Sequence, residues 1–240
     1  MDRHAGQVSA PAVAATTLLR LLHLASPSLP VGAYSYSQGL EAAIDAGLVA
    51  DEPGALAWIR TVLAHAQARL EAPLFCRLHR AWAAGDAAAA AHWAAWFVAS
   101  RDTAELRAET LQMGYSLARL LAALFPDHPR RAWLPADAGA AALPYPAALA
   151  AACTMLELPL VPSLQAGLFA WAENQVLAAI KAVPLGQLAG QRMLFALEPD
   201  ILAAAACAAG LADDDLSNWT PGLSLLSMRH ETQHNRIFRS

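Results

Sequence analysis

The sequence predicts an all-α fold, a single helical bundle of roughly ten helices ending in a polar C-terminal tail, and three observations predict it. Apolar residues recur at helical spacing nearly everywhere, while the alternation of a half-buried strand is scarce. Proline, glycine and acidic residues fall where helices of ordinary length would start and stop. Of the 240 residues, 57% are hydrophobic, much of this alanine, which suffices for a core without covalent staples.

The first helix is expected over 16–25, after a flexible segment 1–15. Pro27 and Pro30 stop it by fixing φ, and Gly32 can take a positive φ. Ser35 with Gln38 three residues on has the spacing of a capping box, which places the second helix at 38–46 with Gly47 as its stop. A third opens at Pro53 after Asp51, and Pro73 is expected to kink or divide the run that reaches Ala84. Gly85 ends that run, and Asp86 caps the next, which continues through Val98. Asp102 and Glu105 then form a capping-box pair ahead of the clearest amphipathic helix. There Leu106, Thr110, Met113, Leu117, Leu120 and Leu124 recur in steps of four and three, with Arg107, Glu109 and Arg119 off the stripe.

Residues 126–144, with Pro126, Pro129, Pro135 and Pro144, read as the principal long loop. Helices are expected again at 147–157, 163–183, 185–197 and 199–209, with Pro159 and Pro162 dividing the first two and Gly210 stopping the last. Lys181, in the last turn of 163–183, complements the helix dipole. With no internal repeat, one all-α domain at 16–226 is the reading, followed by a docking tail at 227–240.

Composition excludes several functions. A net charge of −4 and a pI near 6.0 argue against nucleic-acid binding, which needs clustered Lys and Arg. The sole lysine, Lys181, is followed by Ala182 and Val183, so no phosphate-binding Gly-Lys-Ser/Thr loop exists and the chain has no GTPase site of its own. The most apolar stretches, 81–99 and 138–155, are interrupted by Asp86, His92 or the pair Pro144 and Pro146, and no leader pattern opens the chain, so a cytoplasmic protein without a membrane span is expected. Cys76, Cys153 and Cys207 are widely spaced in helical contexts, as suits buried reduced thiols.

Two motifs invite a metal. His230-Glu231-Thr-Gln-His234 has the His-Glu-x-x-His spacing that puts two imidazoles on one helix face with a glutamate as base, the signature of a zinc-dependent hydrolase. A third ligand is wanted downstream, and six residues follow His234. Cys76 and His79, three apart, are more simply a buried thiol beside an imidazole. No metal, cofactor or catalytic residue is assigned.

The stretch Ser26 to Glu41, SPSLPVGAYSYSQGLE, puts turn-forming residues and two tyrosines between helical patterns without a catalytic group. Tyr34 and Tyr36, flanked by serines, suit a recognition surface; equally, one tyrosine can be core and the serines caps. This stretch resembles the N-terminal signature of the urease accessory protein UreF family, Leu-Pro-x-Gly-x-[Tyr/Phe]-Ser-x-Ser-x-Gly-Leu-Glu. Three further segments resemble that family in order and spacing: Ser100 to Arg107, Lys181 to Gln187, and Arg229 to Ser240. Family members commonly carry tyrosine where His234 stands.

The resemblance implies a non-catalytic adaptor in urease maturation, one that binds UreD/UreH and recruits the nickel-carrying GTPase UreG, coupling GTP hydrolysis to metal delivery into apo-urease. It also implies a homodimer. Candidate partner-binding residues are Tyr34, Ser35, Tyr36, Gln38, Glu41, Lys181, Arg229, His230, Glu231, Arg236, Phe238 and Arg239. The tail is rich in anchors, so Arg236 and Arg239 are expected to bond carbonyls or a tyrosine hydroxyl of the 34–36 loop while Phe238 fills an apolar notch.

Overall fold

The computed structural model describes residues 14–135 and 143–240, and the predicted flexible segment and the centre of the long loop lie outside the described residues. Among the described residues there are ten α-helices and no strand. They are α1 (Ala15–Ala25), α2 (Leu40–Asp45), α3 (Glu52–Val62), α4 (Ala72–Ala84), α5 (Ala87–Ala99), α6 (Ala104–Leu124), α7 (Tyr145–Met155), α8 (Leu160–Ala182), α9 (Gln187–Gly210) and α10 (Pro221–His230).

The core runs continuously through the bundle. Helix α7 is buried from Pro146 to Met155, and its alanines let α4 and α6 pack on it closely. Helix α8 in turn packs against α1, α2 and α9. Gly114 of α6 marks the tightest approach: a Cβ there would stand 1.9 Å from the Leu143 carbonyl oxygen.

Asp51 and Asp86 cap as expected, accepting from Gly54 N at 2.8 Å and Ala89 N at 2.9 Å. Asp51→Ala should therefore lower stability by about 1 kcal/mol, read from the denaturant midpoint at unchanged slope.

Other boundaries differ for identifiable reasons. The Ser35–Gln38 capping box does not form: residues Ala33–Ser35 make a 3-10 turn, Gln38 and Gly39 take φ of 53° and 81°, and α2 begins at Leu40. Thr103 rather than Asp102 caps α6, accepting from Leu106 N at 3.2 Å, because Asp102 is engaged by Ser224 and Asn218. The α6 stripe also rotates, so that Leu121 is buried and Leu124 exposed. Ahead of Pro73 the chain does not break but widens into a π-helix, Leu63–Glu71, joining α3 to α4. Pro162 sits in the first turn of α8, where a missing N–H costs nothing.

Pro199 does not divide α9. It lacks the N–H that would bond the Phe195 carbonyl, but both residues lie on the exposed side, where water can satisfy that oxygen. The fused helix is, among the described residues, the one long and apolar enough to cross a membrane by length and composition. It packs against α8, α4 and the π-helix.

Candidate partner-binding surface

The loop before α2 is shaped by its backbone. Gly32, at φ 80°, opens the 3-10 turn that carries Tyr34 and Ser35, and the left-handed pair Gln38 and Gly39 then swings the chain into α2. The two tyrosines divide: Tyr36 is buried at 6% exposure, as a core residue is, and Tyr34 is 63% exposed. Burial raises the Tyr36 hydroxyl above its ordinary pKa, Glu109 pushes it the same way, and the nearby Arg239 guanidinium partly offsets both. Gln38 caps nothing and bridges inward. Its Oε1 accepts from Trp171 Nε1 at 2.7 Å, and its Nε2 donates to Glu109 Oε1 at 2.6 Å.

The tail folds back over this loop. Helix α10 ends at His230, whose fully buried ring sets Nδ1 2.6 Å from Glu105 Oε2 and Nε2 3.1 Å from Glu41 Oε2. Glu41 also accepts from the backbone N–H of Ile237 at 2.6 Å and of Phe238 at 2.9 Å. Glu231 accepts from Ala104 N at 3.0 Å, placing a carboxylate at the start of α6.

Arg239 N donates to the Ser35 carbonyl at 2.8 Å. Ser37 N and Gln38 N donate to the Ser240 carbonyl at 2.6 and 3.1 Å. Phe238 is buried, and the Lys181 ammonium stands 5.6 Å from its ring centroid and 5.9 Å from that of Tyr34. Lys181 thus tops both segments in addition to closing α8. The side chains of Arg229 and Ile237 remain exposed.

One expectation is corrected. Arg236 does not reach the tyrosine loop; it bonds Glu105 Oε1 at 2.6 Å and the carbonyls of Gln233 and Glu231, bracing the tail against α6 instead. Arg239 meets the loop through its backbone N–H on the Ser35 carbonyl, with its guanidinium near the Tyr36 hydroxyl, and Phe238 is buried as expected.

Residues 49–198 match the family model described as UreF. This chain belongs to the UreF family. It is 54% identical over 227 residues to a urease accessory protein UreF from Janthinobacterium sp. strain Marseille, covering 94% of this chain and 99% of that protein. It is likewise 54% identical over 224 residues to urease accessory protein UreF from Nitrosospira multiformis, covering 93% and 97%. A Bordetella bronchiseptica protein named bifunctional urease accessory protein UreEF is 53% identical over 233 residues, covering 96% of this chain and 53% of that longer protein.

In this UreF chain the His-Glu-x-x-His spacing is not a zinc site. His230 is the last residue of α10, so the motif is not helical, and both its ring nitrogens already face carboxylates, whereas His234 is exposed. Nor is the Cys76–His79 pair a ligand pair. Burial pushes the Cys76 thiol up to about 11 and lowers His79, whose Nε2 lies 3.0 Å from the Leu158 carbonyl oxygen. Among the described residues no group of three or more His, Cys, Asp or Glu is placed to hold a metal ion.

The sequence reading missed Glu105 and Glu109. They lie one turn apart on α6, and both receive the tail: Glu105 through His230 and Arg236, Glu109 through Ser240 Oγ at 2.6 Å. Two carboxylates four apart beside an apolar stripe were the available signal.

Proposed function

We propose that this chain is a non-catalytic adaptor in urease maturation. It binds UreD/UreH, recruits and modulates the GTPase UreG, and supports nickel insertion into apo-urease, acting in the cytoplasm as a homodimer. The observation that carries this reading is the closure of two segments some two hundred residues apart into one surface, with Glu41 as the joint. That surface offers the exposed Tyr34 and Ile237, the exposed Lys181 over the Tyr34 and Phe238 rings, and the exposed Arg229, with aromatic and arginine side chains of the kind enriched at protein interfaces. The relative named UreEF supports an assembly role, since linking two modules raises their effective concentration for a shared partner.

Co-purification tests it. The full chain is expected to retain UreD/UreH and, with it, UreG, and removal of residues 229–240 should abolish capture. The paired substitutions Tyr34→Ala and Lys181→Glu, both at exposed side chains, should weaken capture at least about tenfold while leaving the fold intact. A full-length chain that retains neither partner would sink the proposal.

A further inference from the structure

We infer that docking of the C-terminal tail takes up a proton at Glu109, so that residues 231–240 form a strap held most firmly at acidic pH and loosened as the pH rises to neutral and beyond. Glu109 lies buried where tail, loop and core meet. Its Oε2 receives Ser240 Oγ from the tail and its Oε1 receives Gln38 Nε2 from the loop, each at 2.6 Å. It also borders a partly open cavity of about 150 Å³ lined by Phe75, Phe97, Met113 and Leu168 and, toward the surface, by Tyr34.

The charges around it leave it uncompensated. Arg101, the cation in reach, is already bonded to Glu71 Oε1 at 2.8 Å, and Glu71 itself adds repulsion. From the loop it faces the Tyr36 hydroxyl, whose cation is Arg239. Arg236 and the His230 ring are committed to Glu105 and Glu41. Lys181, on α8, stands over the rings of Tyr34 and Phe238. Ser240 and Gln38 donate to the ionised form, but a hydroxyl can equally accept from a carboxylic acid, so the site accommodates both states.

Desolvation by burial therefore dominates, against the two hydrogen bonds and Arg101, and raises the Glu109 carboxyl from an ordinary 4.5 to about 7. When the strap lifts, water reaches this carboxyl and its affinity for the proton falls toward the ordinary value. The docked state thus binds more protons in the interval between the two values. Docking is fully supported below the lower value and loses that support as pH rises through about 7.

The experiment is amide hydrogen exchange on the isolated full-length chain, corrected for the intrinsic pH dependence of exchange. Protection of the Ile237 and Phe238 amides should fall by at least several-fold between about pH 5.5 and about pH 8.5, since the docked carboxyl holds its proton to higher pH than the freed one. Glu109→Gln, which keeps the shape and removes the ionisation, should flatten this profile. Constant protection in the unsubstituted chain, or an undiminished fall in E109Q, overturns the inference.

Should E109Q not fold, carboxyl-carbon NMR of the unsubstituted chain decides. One glutamate titrating near 7 upholds the strap, and none doing so sinks it. Any parallel change in partner capture rests on the adaptor reading above. The exchange measurement uses no partner, so failure of that reading and failure of this one are distinguishable.

Discussion

Glu41→Ala is expected to free the C-terminal tail and to cost about 3–5 kcal/mol, lowering Tm by roughly 10 °C. The carboxylate is buried and meets three partners at once: it accepts from the amides of Ile237 and Phe238 on the tail and lies 3.1 Å from His230 Nε2 at the end of α10. Truncation strands all three in a space too enclosed for water to replace the lost acceptor fully, and unmet buried donors are what make such losses large. Thermal unfolding reads the global part. Limited proteolysis after Arg236 or Arg239 reads the local part, since a lifted tail is cut and a docked one is not. Glu41→Gln keeps one acceptor and should fall between the two. Unchanged Tm and unchanged tail protection in E41A would mean that the tail is held without Glu41, by Phe238 and the bonds of Arg236, Arg239 and Ser240.

Gly114→Val is expected to leave little folded protein, a loss above about 4 kcal/mol. In an exposed helix, replacing glycine by a residue with a side chain recovers about 1 kcal/mol through reduced chain entropy. Here the sign reverses. The obstacle is backbone, the Leu143 carbonyl at 1.9 Å and the Pro144 carbonyl carbon at 2.8 Å from the added Cβ, and neither can rotate away. Gly190 offers the contrast: an added Cβ meets the Ile180 Cδ1 at 2.4 Å, the far end of a flexible side chain. Soluble yield and denaturant midpoints should therefore rank Gly190→Ala well above Gly114→Ala. The reverse order would show that α6 and α7 can slide apart cheaply.

What could be read from sequence followed how local its cause is. Asp51 and Asp86 find their donors three residues on, and their helices begin where expected. Asp102 looked like an equally good cap, but its oxygen is taken by Ser224 and Asn218, more than a hundred residues away, and Thr103 caps in its place. The same applies to Gln38, drawn inward by Trp171 and Glu109 rather than back to its own helix. Pro199 misled for another reason. A proline breaks a helix where its neighbours are buried, and here the freed carbonyl lies on the water side.

At the candidate surface, the meeting of loop and tail was expected from the aromatic and cationic anchors of the tail, whereas Lys181 entered through the family resemblance of residues 181–187 and its own chemistry suggested only a helix-end cation. The α6 carboxylates that receive the tail were not legible. On a solvated helix Glu105 and Glu109 would look the same; the tail, together with Gln38 of the loop, is what covers Glu109 and half-buries Glu105.

The placement of Lys181 makes the surface addressable by chemistry. No other lysine exists in the sequence, and this one is exposed while leaning on the rings of Tyr34 and Phe238. Among side chains, an amine-selective acylating probe would therefore find only this one, beside the joint of loop and tail, and labelling at a pH high enough to deprotonate lysine after blocking the more acidic α-amine would confine the label to it. A fluorophore attached there would sense both the lifting of the tail and the arrival of a partner, without any engineered cysteine.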